Sequence, residues 1–393
     1  MAEDATLPLE DAAATAARDG ATEAQTFTTG ILPRQAMRVL LATGEIEAEQ
    51  PVSDDQIQPA SLDLRLGATA YRVRGSFLPG QKSTVRSRLD NFTMHQVDLT
   101  DGAVLEKGCV YVVPLLESLS LKKEVSGMAN PKSSTGRLDI FTRVITDYTG
   151  EFDRILPGYK GPLYAEISPL TFSVKVRTGT RLSQLRLRRG SPPPTDIGMR
   201  RLHQRSPLIA EGAGEPNIAR QGVAFTVDLI SASASGVVGY RAKRHTDVID
   251  VEKVNHYEIE EFWEPVFAHG KDAIILDPDD FYILTSREAV SVPPDHAAEM
   301  RAYDTLVGEF RVHYAGFFDP GFGYDEAGGG GSRAVLEVRS HDVPFVLEHG
   351  QMVGRLIYER LMAVPDQIYG SAIGSNYQAQ GLKLSKHFKP PPE

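Results

Sequence analysis

The feature that most limits what this chain can become is an internal echo. VKVRTGTRLSQLRL follows YAEIS, and FVLEHGQMVGRLIY follows VLEVR. Glu166 precedes Gly179 by 13 residues and Glu337 precedes Gly350 by 13, while Gln184 and Arg355 each follow their glycine by 5. Upstream, Tyr111 stands 9 residues before Ser120 and Tyr282 stands 9 before Ser291, and SLDLRLG is echoed by FTVDLIS. Spacing kept while residues change means one structural unit used twice. The 393 residues therefore divide into a first domain over 31–200 and a second over 215–393. The boundary is expected in the polar stretch between SPPPTD (191–196) and EGAGEPN (211–217), whose prolines and glycines interrupt regular structure.

The unit is mainly β. Runs such as GCVYVVPL, LYAEISPL, FSVKVRTG, AFTVDLIS, DFYILTS and AVLEVRS are short, rich in β-branched and aromatic residues, and bounded by Gly, Pro, Asp or Ser. Such strands predict a sandwich, jelly-roll or barrel with few short helices. One amphipathic helix is expected in ILPRQAMRVLLATGEIE, closed near Gly44. Residues 1–30, acidic and rich in Ala and Thr, read as a disordered tail.

Charge and cysteine content remove several functions. With 42 Lys plus Arg against 52 Asp plus Glu the net charge is −10, which opposes broad binding to nucleic acid or anionic membrane, so any polyanion must be held by a local basic cluster. The single cysteine, Cys109, removes intramolecular disulfides and multi-cysteine metal sites and suits a reducing compartment, the cytoplasm. No apolar run has the length of a membrane span, and the N-terminus lacks the pattern of a signal peptide.

Four segments carry potential chemistry. NPKSSTGR (130–137) places Lys132, Ser133, Ser134 and Arg137 together; their donors and charges suit phosphate oxygens, although a solvated polar turn has the same composition. Glu166 and Glu337 interrupt apolar strands. Alternation allows either to face solvent, and either would become a proton shuttle if it faced a pocket instead. HYAGFFDPGF (313–322) is aromatic and ends in an Asp-Pro-Gly turn, and NYQAQGLKLSKHFKPPPE is a basic C-terminus on an acidic chain. The glycines of GYDEAGGGGS (323–332) lack the Lys-Ser/Thr and following helix of a phosphate loop and read as a hairpin tip.

Taken in series, IQPASLDLRLG (57–67), KSSTGR (132–137), HYAGFFDPGF, the strand glutamate and YQAQ (377–380) resemble the successive motifs of dCTP deaminase, a member of the dUTPase superfamily, here in a tandem-duplicated form. The resemblance implies two dUTPase-like distorted β-barrel or jelly-roll domains. It implies hydrolytic deamination of dCTP at cytosine C4 to dUTP and ammonia, with Mg²⁺ accompanying the triphosphate. It also implies a zinc-independent reaction, and the sequence independently lacks the H-x-E and P-C-x-x-C signature of zinc nucleobase deaminases. Carried over residue by residue, Glu337 is the general base, supported by Arg137 and Ser133, with Glu166 in reserve. Lys132, Ser134, His313, Ala315, Asp319, Tyr377, Gln380, Lys383 and Lys386 bind substrate, the last four in a C-terminal tail that covers the phosphates.

The two copies depart from the family pattern in complementary ways. The first has Leu156-Pro157-Gly158 where the family has Asp-Pro-Gly, and the second has YDTLVG (303–308) where the family has its Ser-Ser-x-x-Arg motif. One composite site per chain is therefore expected, with Lys132, Ser133, Ser134 and Arg137 facing His313, Ala315, Asp319 and Glu337. A homo-oligomer, drawn as a trimer, is the expected assembly. The competing functions are a dUTPase or bifunctional deaminase–dUTPase, and a non-catalytic deoxynucleotide-binding regulator.

Overall fold

The computed structural model describes residues 26–190, 194–210, 215–230, 235–270, 272–302, 310–312, 316–327, 330–340, 343–370 and 380–390. Antiparallel strands dominate and the helices are short. In the first half, Gly30–Ile31, Arg181–Arg189, Val125–Pro131 and Arg154–Ile155 form one sheet, with Leu62–Arg65 also paired to Arg181–Arg189. The other large sheet runs Thr93–Asp98, Thr69–Val73, Val110–Ser120, Lys160–Pro169, Ile140–Thr146, with Ile46–Ala48 on Val110–Ser120. The second half pairs Gly222–Thr226, Met352–Arg360 and His296–Ala302 in one sheet, and Val237–Ala242, Phe281–Val290 and Ser332–Ser340 in another.

The pairings recur between the halves. Glu166 lies opposite Val112 and Glu337 opposite Ile283, each partner one residue beyond Tyr111 or Tyr282. Leu185 and Leu356, six residues after Gly179 and Gly350, lie opposite Leu62 and Val223. That register sets SLDLRLG against GVAFTVD (222–228) instead of the expected FTVDLIS, because cross-strand pairing, not residue likeness, decides which face each side chain takes.

The helix Arg34–Ala42 forms as expected, burying Met37 and Leu40 and closing at Gly44, whose φ of +72° lies in the left-handed region. Two others, Val85–Phe92 and Asp196–Arg205, were not foreseen. The second lies inside the expected boundary stretch, its Thr195 hydroxyl capping Gly198 N–H at 3.1 Å. Its Met199 and Leu202 pack into the second half's core, so that half begins well before residue 215. The end of the expected N-terminal tail is also docked: Phe27 N–H donates to the Met362 carbonyl at 2.7 Å, and the Arg360 guanidinium lies 3.6 Å from the Phe27 ring centre. Residues 1–25 lie outside the described residues.

The halves meet as a core, not as two polar surfaces. The first half's apolar cluster continues through Phe262, Trp263, Phe281, Val335, Leu384 and Phe388 of the second. Phe172 packs edge-on against Phe262 and Trp263 at 5.8 and 5.4 Å. Each such fully buried aromatic contributes about 2–3 kcal/mol, which holds the juncture rigid enough to carry a site. Among the described residues no helix is long and apolar enough to cross a membrane.

Candidate active site

A cavity of about 400 Å³ opens where the halves join, lined by residues of both. Strand alternation explains why Glu337 faces it. In Ser332–Ser340, Leu336 and Val338 turn into the second half's core, so Val335, Glu337 and Arg339 must face the first half. Glu166 sits at the matching strand position, but its surroundings differ. Arg143 holds it at 2.5 Å, the guanidinium lying against the rings of Phe141 and Phe152 at 4.6 and 3.4 Å. Glu166 is buried in that ion pair and does not line the cavity, so the reserve base is placed apart from the other site residues.

KSSTGR folds as a single helical turn. The strand Val125–Pro131 ends at a proline, and Gly136 and Arg137 N–H groups then donate to the Lys132 and Ser133 carbonyls at 3.0 and 3.1 Å. The turn projects Lys132, Ser133, Ser134 and Arg137 into the cavity. Lys132 pairs with Asp63 of the IQPASLDLRLG strand. Arg137, almost wholly buried, donates to the Lys383 carbonyl at 2.9 Å and to Gln380 Oε1 at 3.0 Å.

The glycine of this turn is required by Glu337. A Cβ on Gly136 would stand 2.5–2.8 Å from all three atoms of the Glu337 carboxyl group, so the carboxyl lies directly on the glycine backbone. Buried there, Glu337 has its pKa pushed up to about 8 by loss of hydration. Asp139 raises it further, and the Arg137 charge pulls it down. A carboxyl group poised near neutrality, beside a fixed cation, can exchange a proton with a bound molecule.

The opposite wall is the segment Phe317–Phe318 and the Asp-Pro-Gly turn after it. Gly321 adopts φ +96°, and a side chain there would meet the Tyr369 carbonyl at 2.6 Å, so glycine is needed on both counts. The turn presents Asp319, which pairs at 3.1 Å with Arg186 from the first half; burial raises the Asp319 pKa, and that arginine is the main influence lowering it.

The C-terminal segment from Gln380 is stapled down. Gln380 Nε2 donates to the Arg333 carbonyl at 3.0 Å, and Phe388 packs on Phe262 and Trp263 at 5.6 and 5.9 Å. Ser385 Oγ donates to the Ser134 carbonyl at 2.8 Å. Buried His387 shares a 2.9 Å contact with Ser385, and desolvation drives its pKa down to about 4. Lys386 reaches the cavity, with its pKa lowered by burial and by Lys132; Lys383 contributes its carbonyl to Arg137, and its ammonium does not line the cavity.

The cavity thus gathers Lys132, Ser133, Ser134, Arg137, Asp319, Glu337, Gln380 and Lys386 from the residues expected by sequence. His313, Ala315 and Tyr377 lie outside the described residues, as does YDTLVG. Asp55, Gln58, Asp63, Arg181 and Gln184 also line it and were not foreseen, nor was Arg186 behind the wall. For Arg181, Gln184, Arg186 and Asp63 the signal was the polar alternation of RLSQLRLRR and the acid within SLDLRLG, which has no meaning until the facing half is placed.

Comparison with known proteins shows the family. The family profile of the 2'-deoxycytidine 5'-triphosphate deaminase N-terminal domain matches residues 28–191, and that of the C-terminal domain matches residues 195–388. A crystal structure of 2'-deoxycytidine 5'-triphosphate deaminase from Agrobacterium tumefaciens is 58% identical, superposes with a TM-score of 0.81, and is matched over 85% of this chain and 99% of its own. The "dCTP deaminase, dUMP-forming" of Halobacterium salinarum is 32% identical over 127 residues, 31% of this chain and 60% of the relative. The dCTP deaminase of Halorubrum lacusprofundi is 32% identical over 149 residues, 37% of this chain and 70% of the relative. The chain spans about 60% of the length of the first of these curated relatives. With both domain profiles matched in order across nearly all of its described length, the chain belongs to the dCTP deaminase family of enzymes.

Proposed function

We propose that this chain deaminates dCTP hydrolytically, releasing ammonia and dUTP, at one composite site formed by its two halves. The observation that carries the reading is the Glu337 carboxyl, buried over Gly136 beside Arg137 with its pKa near 8. Glu337 takes a proton from water as the oxygen bonds to cytosine C4 and passes it to N3 as the C4=N3 bond opens. It then carries the remaining hydroxyl proton to the amine, so the C–N bond breaks with loss of ammonia and C4=O forms. Arg137 and Ser133 orient the carboxylate and stabilise developing charge. Lys132, Ser134 and Lys386 receive the triphosphate with its Mg²⁺, the reaction needing no zinc. Asp319 and the neighbouring backbone, including Ala315 and His313, receive sugar and base; Gln380 and Tyr377 belong to the covering segment, and Lys383 supports Arg137 through its carbonyl.

The recurring registers support reading the chain as a tandem duplication in which only the first copy keeps the phosphate motif. Ile275 and Val346, exposed opposite one another in the second half, support self-association, a trimer of chains in a cytoplasmic enzyme being our reading. Light scattering on the purified protein tests that assembly.

A dUMP-forming reaction is the second reading, favoured by the name of the Halobacterium salinarum relative. Ammonia release from dCTP and Mg²⁺, with nucleotides separated by chromatography, decides. Appearance of dUTP supports the first reading, and dUMP with pyrophosphate the second. Stoichiometric binding without ammonia would leave a non-catalytic regulator.

A further inference from the structure

Arg186 is a buried charge that the catalytic reading leaves unused. It lies in the strand Arg181–Arg189 of the first half, with its side chain only 2% exposed. Yet most of its contacts are with the second half: Nη1 donates to the Ala298 carbonyl at 2.9 Å, and Nη2 to the Phe318 carbonyl at 3.3 Å and to Asp319 Oδ1 at 3.1 Å. The guanidinium lies 4.0 Å from the Phe317 ring centre. Seven residues after Gly350, the position matching Arg186 is Ile357, also buried. An apolar residue therefore serves this strand position in the other half, and the arginine occurs only where the first half backs the cavity wall of the second.

Burying a guanidinium is costly unless each donor finds an acceptor, and here two donors go to the backbone and side chain of the segment that shapes the cavity. One carboxylate oxygen of Asp319 is taken by Arg186, which leaves Oδ2 for a ligand. A carboxylate accepts hydrogen bonds at both oxygens only while ionised.

We propose that Arg186 is a positioning residue for the nucleotide: it ties the Phe317–Asp319 wall to the first half and keeps Asp319 a hydrogen-bond acceptor for the sugar hydroxyl of the substrate. This rests on the reading of the cavity as a dCTP site. The charged groups around the pair are Asp63 and Lys132, which face Asp319, and Glu299 and Glu359, which face Arg186. Asp63, Glu299 and Glu359 add negative charge, so removing Arg186 takes away the main influence that lowers the Asp319 pKa, and the pKa, already raised by burial, rises further.

The test is steady-state ammonia release from dCTP by the full chain, wild type, Arg186→Met and Arg186→Lys, between about pH 6.5 and 9. Arg186→Met is expected to raise KM at least tenfold near neutrality while kcat falls less than threefold, because Glu337 and Arg137 are not among its contacts. The ratio of its KM to that of wild type should shrink as pH rises and Asp319 ionises. Arg186→Lys keeps the charge, so its KM should rise severalfold with no added pH dependence. An Arg186→Met KM within twofold of wild type, a loss confined to kcat, or a KM ratio flat with pH would overturn the proposal and leave a structural strut. Should the Met variant fail to fold, Arg186→Lys decides: a KM equal to wild type refutes the positioning role. Failure of the wild type to release ammonia would instead remove the dCTP reading, and the positioning role with it.

Discussion

Glu337→Gln separates the chemistry of this carboxyl from its burial. The side chain is held against Gly136, and its pKa stands at about 8 against an ordinary 4.5. Between those values the folded protein binds a proton that the unfolded chain has released, so the neutral acid is accommodated below pH 4.5 and stability is lost as pH rises through 8. At about 1.4 kcal/mol per pH unit the full span is about 5 kcal/mol, of which about 4 kcal/mol falls between about pH 5 and pH 8.5. Gln keeps the shape and cannot ionise. Urea unfolding of both proteins at those two pH values should therefore show the Gln variant gaining about 4 kcal/mol relative to wild type at the higher pH. The same variant should bind dCTP and release no ammonia. A stability difference that does not change with pH would refute the buried, proton-holding carboxyl, and retained turnover would refute its role as base.

Three further outcomes follow from the same geometry. Gly136→Ala places a methyl group inside the Glu337 carboxyl and should lower kcat by about 100-fold or more, the cost expected of misplacing a reacting group by about 1 Å, with far-UV circular dichroism unchanged. Arg137→Met removes the charge that lowers the Glu337 pKa, so the alkaline rise of kcat/KM should move to higher pH; an unmoved profile would mean that Arg137 acts only on the C-terminal segment. Phe388→Ala should cost about 3–5 kcal/mol, measured by thermal unfolding, and make the segment after Gln380 sensitive to protease, since Phe388 anchors it between Phe262 and Trp263.

Much of this was legible in the chain alone because it depends on local chemistry and spacing. The glycine-anchored echo, the β-branched runs and the basic KSSTGR turn are properties of short segments, and the complementary losses in LPG and YDTLVG are what led to the expectation of a shared site. The ambiguous positions were those at which a side chain's meaning depends on what faces it. Glu166 and Glu337 occupy matching strand positions, and alternation turns both off their own half's core. Only the packed structure sets Glu337 against Gly136 and closes Glu166 under Arg143, Phe141 and Phe152. Arg186 was opaque for the same reason: an arginine in RLSQLRLRR reads as a solvated edge until the second half buries it. Sequence by itself determined the mainly β character, the spacing that recurs between the halves and the residue types available for catalysis, because backbone preference and hydrophobic period act over a few residues. Tertiary structure decided which of two equivalent carboxyls is poised and which is locked, because burial and the nearest charge are set by residues on other strands and turns, Arg143 for Glu166 and the far more distant Arg137 for Glu337.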